Sequence, residues 1–227
     1  MEVVIPTQND VSSLDQIVTL LSSFSCIKKI HIVNNNSTAA NTQIIQEIVE
    51  SERKCVYHFC SSNGKGSAIK IALHYTSDDV LFLDADISNL SSSSIKKLIE
   101  RFYNTESCDF VKANITRANG QSNSGFILSE FSRFFPNLSI SRPTCGIYIV
   151  KKGVINGLDV SSLPDGWAID IAILLEAHIK GNKIIEEDIG TIFDKARNET
   201  SLEQSEKQLS EYLRHFLNCH FPRCEAR

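Results

Sequence analysis

Residues 80–88 read VLFLDADIS: four apolar residues run straight into Asp84 and Asp86, with only Ala85 between them. Two carboxylates about 5 Å apart repel by roughly 3 kcal/mol at an effective dielectric near 20, so something must offset their charge. A divalent cation does so, and an all-oxygen ligand set selects Mg2+ or Mn2+. Side chains alternate along an extended strand, which puts both aspartates on one side. One can take the cation directly while the other binds it through water or holds a ribose hydroxyl. Magnesium sites commonly use one or two carboxylates and complete their shell with phosphate oxygens, so the pattern reads as a site for a nucleoside diphosphate. A bare D-x-D is a weak signal, and capping the serine-rich helix that follows is the competing use of the same residues. What favours the metal is position, after a fully apolar strand.

Three further groups carry candidate chemistry. Lys65 stands between Gly64 and Gly66 at the start of a helix, and backbone N–H groups at a helix N-terminus favour phosphate. The G-x-x-x-x-G-K-[ST] spacing of a P-loop is absent, and a plain turn is the rival reading. Lys112 and Arg117 in FVKANITR offer two cations to an anionic ligand, against a role as ordinary surface charges. Asp170 interrupts WAIDIAILL, where a buried lone carboxylate is costly unless partnered, although capping a first helical turn is its other use.

The elements that must position these residues alternate. EVVIP, IKKIHIV, CVYHF and DVLFLDAD read as strands. Between and after them SSLDQIVTLLSSF, ANTQIIQEIVESE, GKGSAIKIALHY and SSSSIKKLIERFY carry helical apolar spacing, with serine caps on the first, at Ser12 or Ser13, and on the last. Such alternation predicts parallel strands in a three-layer α/β sandwich, whose ligand crevice lies beyond the carboxyl ends of the strands. Pro6–Asp10, Asn34–Thr38, Gly64–Gly66 and Asp84–Asp86 would then converge on one crevice. The second half is less regular: FVKANITR (110–117) and CGIYIV are strands, 118–125 is a polar loop, WAIDIAILLEAHI is a buried helix, NKIIEEDIG is a strand with an acidic end, and 201–218 is a final amphipathic helix. No internal repeat or long linker is visible, so 1–227 reads as one domain. Residues 1–105 would form its nucleotide-binding half, 106–200 a second, ligand-facing half, and 201–227 a C-terminal helix and tail.

Composition narrows the class. Of 227 residues 42% are apolar and 22% charged, ordinary for a globular protein, and the net charge of −4 leaves no global basic field for nucleic acid. No window approaches a membrane span, and MEVVIPTQND lacks the basic start of a signal peptide. Seven scattered cysteines suit free thiols in a reducing compartment, with cytoplasm the default. His215, Cys219, His220 and Cys224 cluster near the end, but the paired C-x2-C of a zinc knuckle is missing, so a frayed terminus is the expectation there.

The ordered stretches VVIPTQND, IVNNNST, NGKGSAI, LFLDADI, FVKANITR, FFPNLSISRPTCGIY, LPDGWAIDIAILLEA and EEDIGTIFDKARNE resemble the GT-A glycosyltransferases of the family-2 type. Within them the chain is similar to glucosyl-3-phosphoglycerate and mannosyl-3-phosphoglycerate synthases, from residue 3 to about 200. The resemblance implies a Rossmann-like GT-A fold with a mostly parallel central sheet and a compact acceptor side. It implies a donor pocket of Pro6, Thr7 and Asp10 with Asn35 and Asn36 beside it, Lys65 on the nucleotide, Asp84 and Asp86 as the D-x-D pair, and Pro143–Gly146 with Tyr148 against the sugar. Thr144, Lys112 and Arg117 would serve the acceptor. Asp170 stands where the family has an acid near the sugar or acceptor and, with Asp86, is the expected catalytic residue. Asp194 occupies the place of a histidine that supplies the third metal ligand.

Beyond Asp194 for histidine, Asn34 replaces the family's base-binding aspartate, leaving uridine and guanosine both open, Thr191 and Ile192 lack the basic residue some relatives carry, and the chain is shorter than typical synthases. The implied activity is transfer of a hexose, with retention, from a UDP- or GDP-sugar to a small anionic hydroxyl acceptor such as 3-phosphoglycerate. It would depend on Mg2+ or Mn2+, with a homodimer left open. A nucleotidyltransferase, or a nucleotide-binding protein without turnover, are the rival readings; the first would want a glycine-rich, arginine-bearing loop where PTQND stands.

Overall fold

The computed structural model describes residues 1–118, 125–193 and 199–221. Seven strands form one sheet in the order β3-β2-β1-β4-β6-β5-β7. They are β1 Glu2–Thr7, β2 Lys29–Asn35, β3 Cys55–Cys60, β4 Val80–Phe82, β5 Phe110–Arg117, β6 Tyr148–Val150 and β7 Ile184–Ile192. Only β6 runs against its neighbours, pairing antiparallel with both β4 and β5. The sheet is therefore mostly parallel, with one reversal that strand–helix alternation alone does not reveal.

The connections decide which helix covers which face. Helices α1 (Leu14–Ser22) and α2 (Ala39–Ser51) carry the chain outward from β1 to β2 to β3 and bury Ile17, Val18, Ile45 and Ile48 on one face. After β3 the chain must return past β1 to reach β4, so α3 (Lys65–Leu73) crosses on the other face. Handed crossovers impose that switch, and it opens a crevice between the carboxyl ends of β1 and β4. Helix α4 (Ser92–Asn104) joins the first face, while α7 (Ile169–Ile179) and α8 (Glu199–His220) pack on the second. Helix α7 is buried almost all round, which explains its lack of polar periodicity.

Local signals agree with these elements in part. Ser91 caps α4 by accepting from Ser94 N at 3.1 Å, as the serine run predicts. Ser13 precedes α1 but makes no side-chain cap bond. Helices α5 (Gly125–Phe134) and α6 (Lys152–Asn156) were not anticipated; α5 begins at the last residue of the stretch read as a polar loop. The loop expectation for 119–124 lies outside the described residues, as do Asp194 and Cys224. The six described cysteines are free thiols, and Cys219 Sγ lies 3.6 Å from His215 Nε2. Among the described residues no helix is long and apolar enough to cross a membrane.

A buried polar chain closes the opposite end of the sheet. Glu2 accepts from His31 Nε2 at 3.2 Å and from Ser77 N and Oγ at 3.0 Å each, and His31 Nδ1 meets His58 Nε2 at 2.9 Å. The relay is satisfied with both rings neutral, His58 donating to His31 and His31 to Glu2. Burial pushes both histidines below their ordinary 6.5, with Glu2 working against that shift at His31 and His31 adding to it at His58. Between the folded and unfolded values the folded chain therefore binds fewer protons, so stability is present above about pH 6.5 and is lost as pH falls through the lowered values. The urea midpoint is expected to fall on acidification from pH 7 to 5, and to fall less in His58→Phe. A fall of equal size in the variant would remove His58 from the relay.

Candidate functional site

Alternation along 80–87 sets the site. Leu81, Leu83, Ala85 and Ile87 point into the core beneath α1, α2 and α4, whereas Val80 and Phe82 point toward α3 and α7. Asp84 and Asp86 continue the second row past the end of β4 and line a cleft of about 150 Å3. That cleft lies where the β1/β4 switch requires it. Its far wall is the β1 loop, tied down by Asn9: Asn9 accepts from Thr38 N at 2.8 Å and Asn41 Nδ2 at 3.0 Å, and its own N–H donates to Ser37 Oγ. Asn9 and Asn36 both take positive φ, 64° and 55°, a conformation asparagine tolerates.

A charge cluster floors the cleft. Lys65 Nζ lies 2.5 Å from Asp84 Oδ1 and donates to Asp170 Oδ2 at 2.7 Å. Tyr148 Oη donates to the other Asp170 oxygen at 3.1 Å. Burial alone would lower the Lys65 pKa, but Asp170 and Asp84 hold it above the ordinary lysine value. Burial pushes the Asp170 carboxyl up against the pull of Lys65, and it lifts the Tyr148 hydroxyl far above its usual range, keeping it a donor. Tyr148 stacks between Phe82 at 4.7 Å and Phe110 at 5.3 Å, an apolar plate that fixes its hydroxyl. Lys112 Nζ lies 4.2 Å from the same ring centroid, fully buried and with no hydrogen-bond partner. Burial takes its pKa down to about 8.

The glycines serve packing. Gly64 has φ 121°, and a β-carbon there or at Gly66 would strike the Pro164–Asp165 backbone. Ser67 N is already bonded to Asp165 O at 3.0 Å, so this helix start is clamped to the turn before α7 and it is the Lys65 side chain that faces the cleft. A β-carbon on Gly146 would overlap both carboxylate oxygens of Asp84. The turn carrying Gly146 is held by Glu186 of β7, which accepts from Ser141 N at 2.7 Å and Arg142 N at 3.2 Å.

A second, small cavity lies on the other side of the acid pair; Asp84, Asp86, Gly146, Cys145 and Arg117 border it. The donor set suits a hard divalent cation: two carboxylates meet between two cavities, one of them against a glycine that leaves room for it, and an ammonium already rests on Asp84. Among the described residues no group of three His, Cys, Asp or Glu is placed to hold a metal alone, so a cation here would need further ligands from a substrate or from other residues.

Of the residues picked from sequence, Pro6, Thr7, Asp10, Asn35, Lys65, Asp84 and Asp86 line the cleft together. Asp170 lies under it through Lys65. Asn36 points its amide at Asn63 Oδ1, 3.4 Å away, and Thr144 is half-buried in the Gly146 turn without bordering either cavity. Lys112 and Arg117 are not brought together. They stand five apart on β5, so alternation sends Arg117 to the second cavity and Lys112 under Tyr148 on the opposite face. Asn34 is fully committed inside, donating to Thr42 Oγ1 and Tyr57 Oη and accepting from Ser37 N. Sequence reasoning gave no individual role to Gln8, within the Pro6–Asp10 loop, or to Trp167, and both line the cleft. Trp167 had a signal, as the chain's single tryptophan beside a glycine. It is set by Gln208 of α8, which accepts from its N–H at 2.9 Å.

Fold and site together define an α/β protein of the GT-A kind with an acidic cleft at the sheet's switch point. The chain belongs to glycosyl transferase family 2, whose family model matches residues 2–153. Glucosyl-3-phosphoglycerate synthase from Mycobacterium tuberculosis, solved with Mn2+, UDP and phosphoglyceric acid, superposes with a TM-score of 0.78 at 18% identity, over 98% of this chain and 79% of that one. The same enzyme with Mg2+ and UDP gives 0.76 at 18% identity, over 93% and 77%. A structure described as a mycobacterial protein gives 0.81 at 16% identity, over 93% and 72%. At these identities the likeness is one of fold. No curated protein matches the sequence.

Proposed function

We propose that this chain is a divalent-metal-dependent hexosyltransferase, taking the sugar from a UDP- or GDP-linked donor to a small anionic hydroxyl acceptor of the 3-phosphoglycerate kind. One observation carries the reading: Asp84 and Asp86 border both the large cleft and the small cavity, so an ion held between them would touch a donor on one side and face an acceptor on the other. The metal bound in the Mn2+–UDP and Mg2+–UDP complexes of the fold relative supports the same assignment.

In this reading Pro6, Thr7, Asp10 and Asn35 take the nucleoside, with Asn36 at the rim. Mg2+ or Mn2+ on Asp84 and Asp86, with Asp194 as a third ligand, would stabilise charge on the departing diphosphate. Asp170, fixed by Tyr148 and Lys65, lies below the sugar position and orients it. Gly146 and Thr144 shape the sugar pocket, and Arg117 attracts the acceptor's anionic group from the small cavity. Lys112 contributes its charge from beneath rather than by contact, because in this conformation it is buried. Transfer proceeds with retention, within one domain whose residues 1–105 serve the donor and 106–200 the acceptor.

The test is a thermal shift with UDP and with GDP, each with and without Mn2+, followed by product analysis with the matching sugar nucleotide and 3-phosphoglycerate. Metal-dependent stabilisation by one nucleotide and release of nucleoside diphosphate are expected. Release of pyrophosphate would make the chain a nucleotidyltransferase. Stabilisation without turnover would make it a binding protein, and no response to either nucleotide would remove the nucleotide site altogether.

A further inference from the structure

Lys65 is placed unusually for a residue that greets a nucleotide. Its side chain is 9% exposed, and two of its three N–H donors are spent on carboxylates from separate elements, Asp84 at the end of β4 and Asp170 in the first turn of α7. Both Asp84 oxygens lie against Gly146, and the ammonium sits on one of them, Oδ1, inside the cleft. Asp86 makes no such pair with Lys65.

We propose that Lys65 is a positioning residue that acts as the resident cation of Asp84 and couples metal binding to donor binding: it opposes a divalent ion at Asp84 until a diphosphate draws its ammonium away. This rests on the metal reading above. Two like charges cannot share one carboxylate without mutual repulsion, so the empty protein binds free metal weakly. A donor diphosphate offers Lys65 new oxygens within the same cleft, and Asp84 is then released to the ion. Asp170 keeps one Lys65 donor engaged throughout, which limits how far the ammonium moves. Metal and nucleoside diphosphate must then strengthen each other's binding by the same factor.

The experiment is a Mn2+ titration, read by water-proton relaxation, of the wild-type chain and Lys65→Met, each with and without UDP or GDP. Lys65→Met is expected to bind Mn2+ alone roughly tenfold or more tighter than wild type, and to lose most of the mutual enhancement between Mn2+ and nucleotide. Lys65→Arg, which keeps the charge, retains weak binding of Mn2+ alone. Because Lys65→Met leaves Asp170 buried without its ion-pair partner and with the Tyr148 hydroxyl bond remaining, the double variant Lys65→Met/Asp170→Asn is measured beside it and is expected to show the same gain. Unchanged or weaker Mn2+ binding by whichever variant folds, with enhancement intact, overturns the proposal while leaving the metal site standing. A wild type that binds no Mn2+ with either nucleotide overturns both.

Discussion

Asp86→Ala is expected to lower sugar transfer by roughly 10^3-fold or more while leaving the folded chain about as stable as before. The expectation follows from where the two aspartates stand. Asp84 is held by Lys65 at 2.5 Å and packs on Gly146, so its removal also takes one of two carboxylates from a buried ammonium and changes the cleft floor. Asp86 borders both cavities and stands outside the Lys65 clamp, so its loss would remove one proposed metal ligand and leave that clamp in place. Rates of nucleoside diphosphate release with Mn2+ present, thermal midpoints, and nucleotide affinity with and without metal separate the effects. Affinity for the nucleotide alone should survive while its enhancement by Mn2+ disappears. Normal turnover by the variant would end the assignment of the acid pair.

Lys112→Met is expected to make the protein more stable and less active. The ammonium is fully buried with no hydrogen-bond partner, and burial lowers its pKa from 10.5 to about 8. A shift of that size corresponds to roughly 3 kcal/mol of order-of-magnitude cost at pH 7. Methionine has a similar shape and no charge, so much of the cost is relieved. Asp170 loses a neighbouring cation and Tyr148 a cation–π contact, which reduces the net gain to about 1–2 kcal/mol, a rise of roughly 2–8 °C in thermal midpoint.

The sign with pH is distinctive. A lysine whose folded value is depressed costs its full amount below about pH 8, and the cost fades as pH rises toward 10.5, where the unfolded chain also gives up its proton. The advantage of the variant should therefore shrink between pH 8 and 10. A variant less stable than wild type at every pH would mean that Lys112 is well solvated or paired. Sugar transfer should fall, because a cation kept at this cost beside Asp170 and Asp84 balances charge the reaction uses.

How much of this was legible beforehand varies residue by residue. The row from Val80 to Asp86 was readable because a strand's two-residue period is local, and the apolar residues on the other face confirm the phase. The Gly64–Lys65–Gly66 turn was visible, but its meaning was not: the glycines make room for the 164–165 backbone, about a hundred residues away in sequence. The two-residue period that puts the aspartates on one face sends Lys112 and Arg117 to opposite faces of their strand. Asn34 was weighed as a base contact, yet its three internal bonds leave the cleft face to Asn35.

The sequence by itself determined the strand–helix order, the carboxyl-end loops that meet at the cleft and the acid pair, because each depends on periodicity or on neighbours a few residues apart. Only the tertiary structure decided that Lys65 reaches Asp170, 105 positions on, that Gly146 abuts Asp84, that β6 is reversed, and that Lys112 is buried. Those facts depend on which faces of distant elements come to share a core, and packing of that kind leaves no periodic trace in the chain.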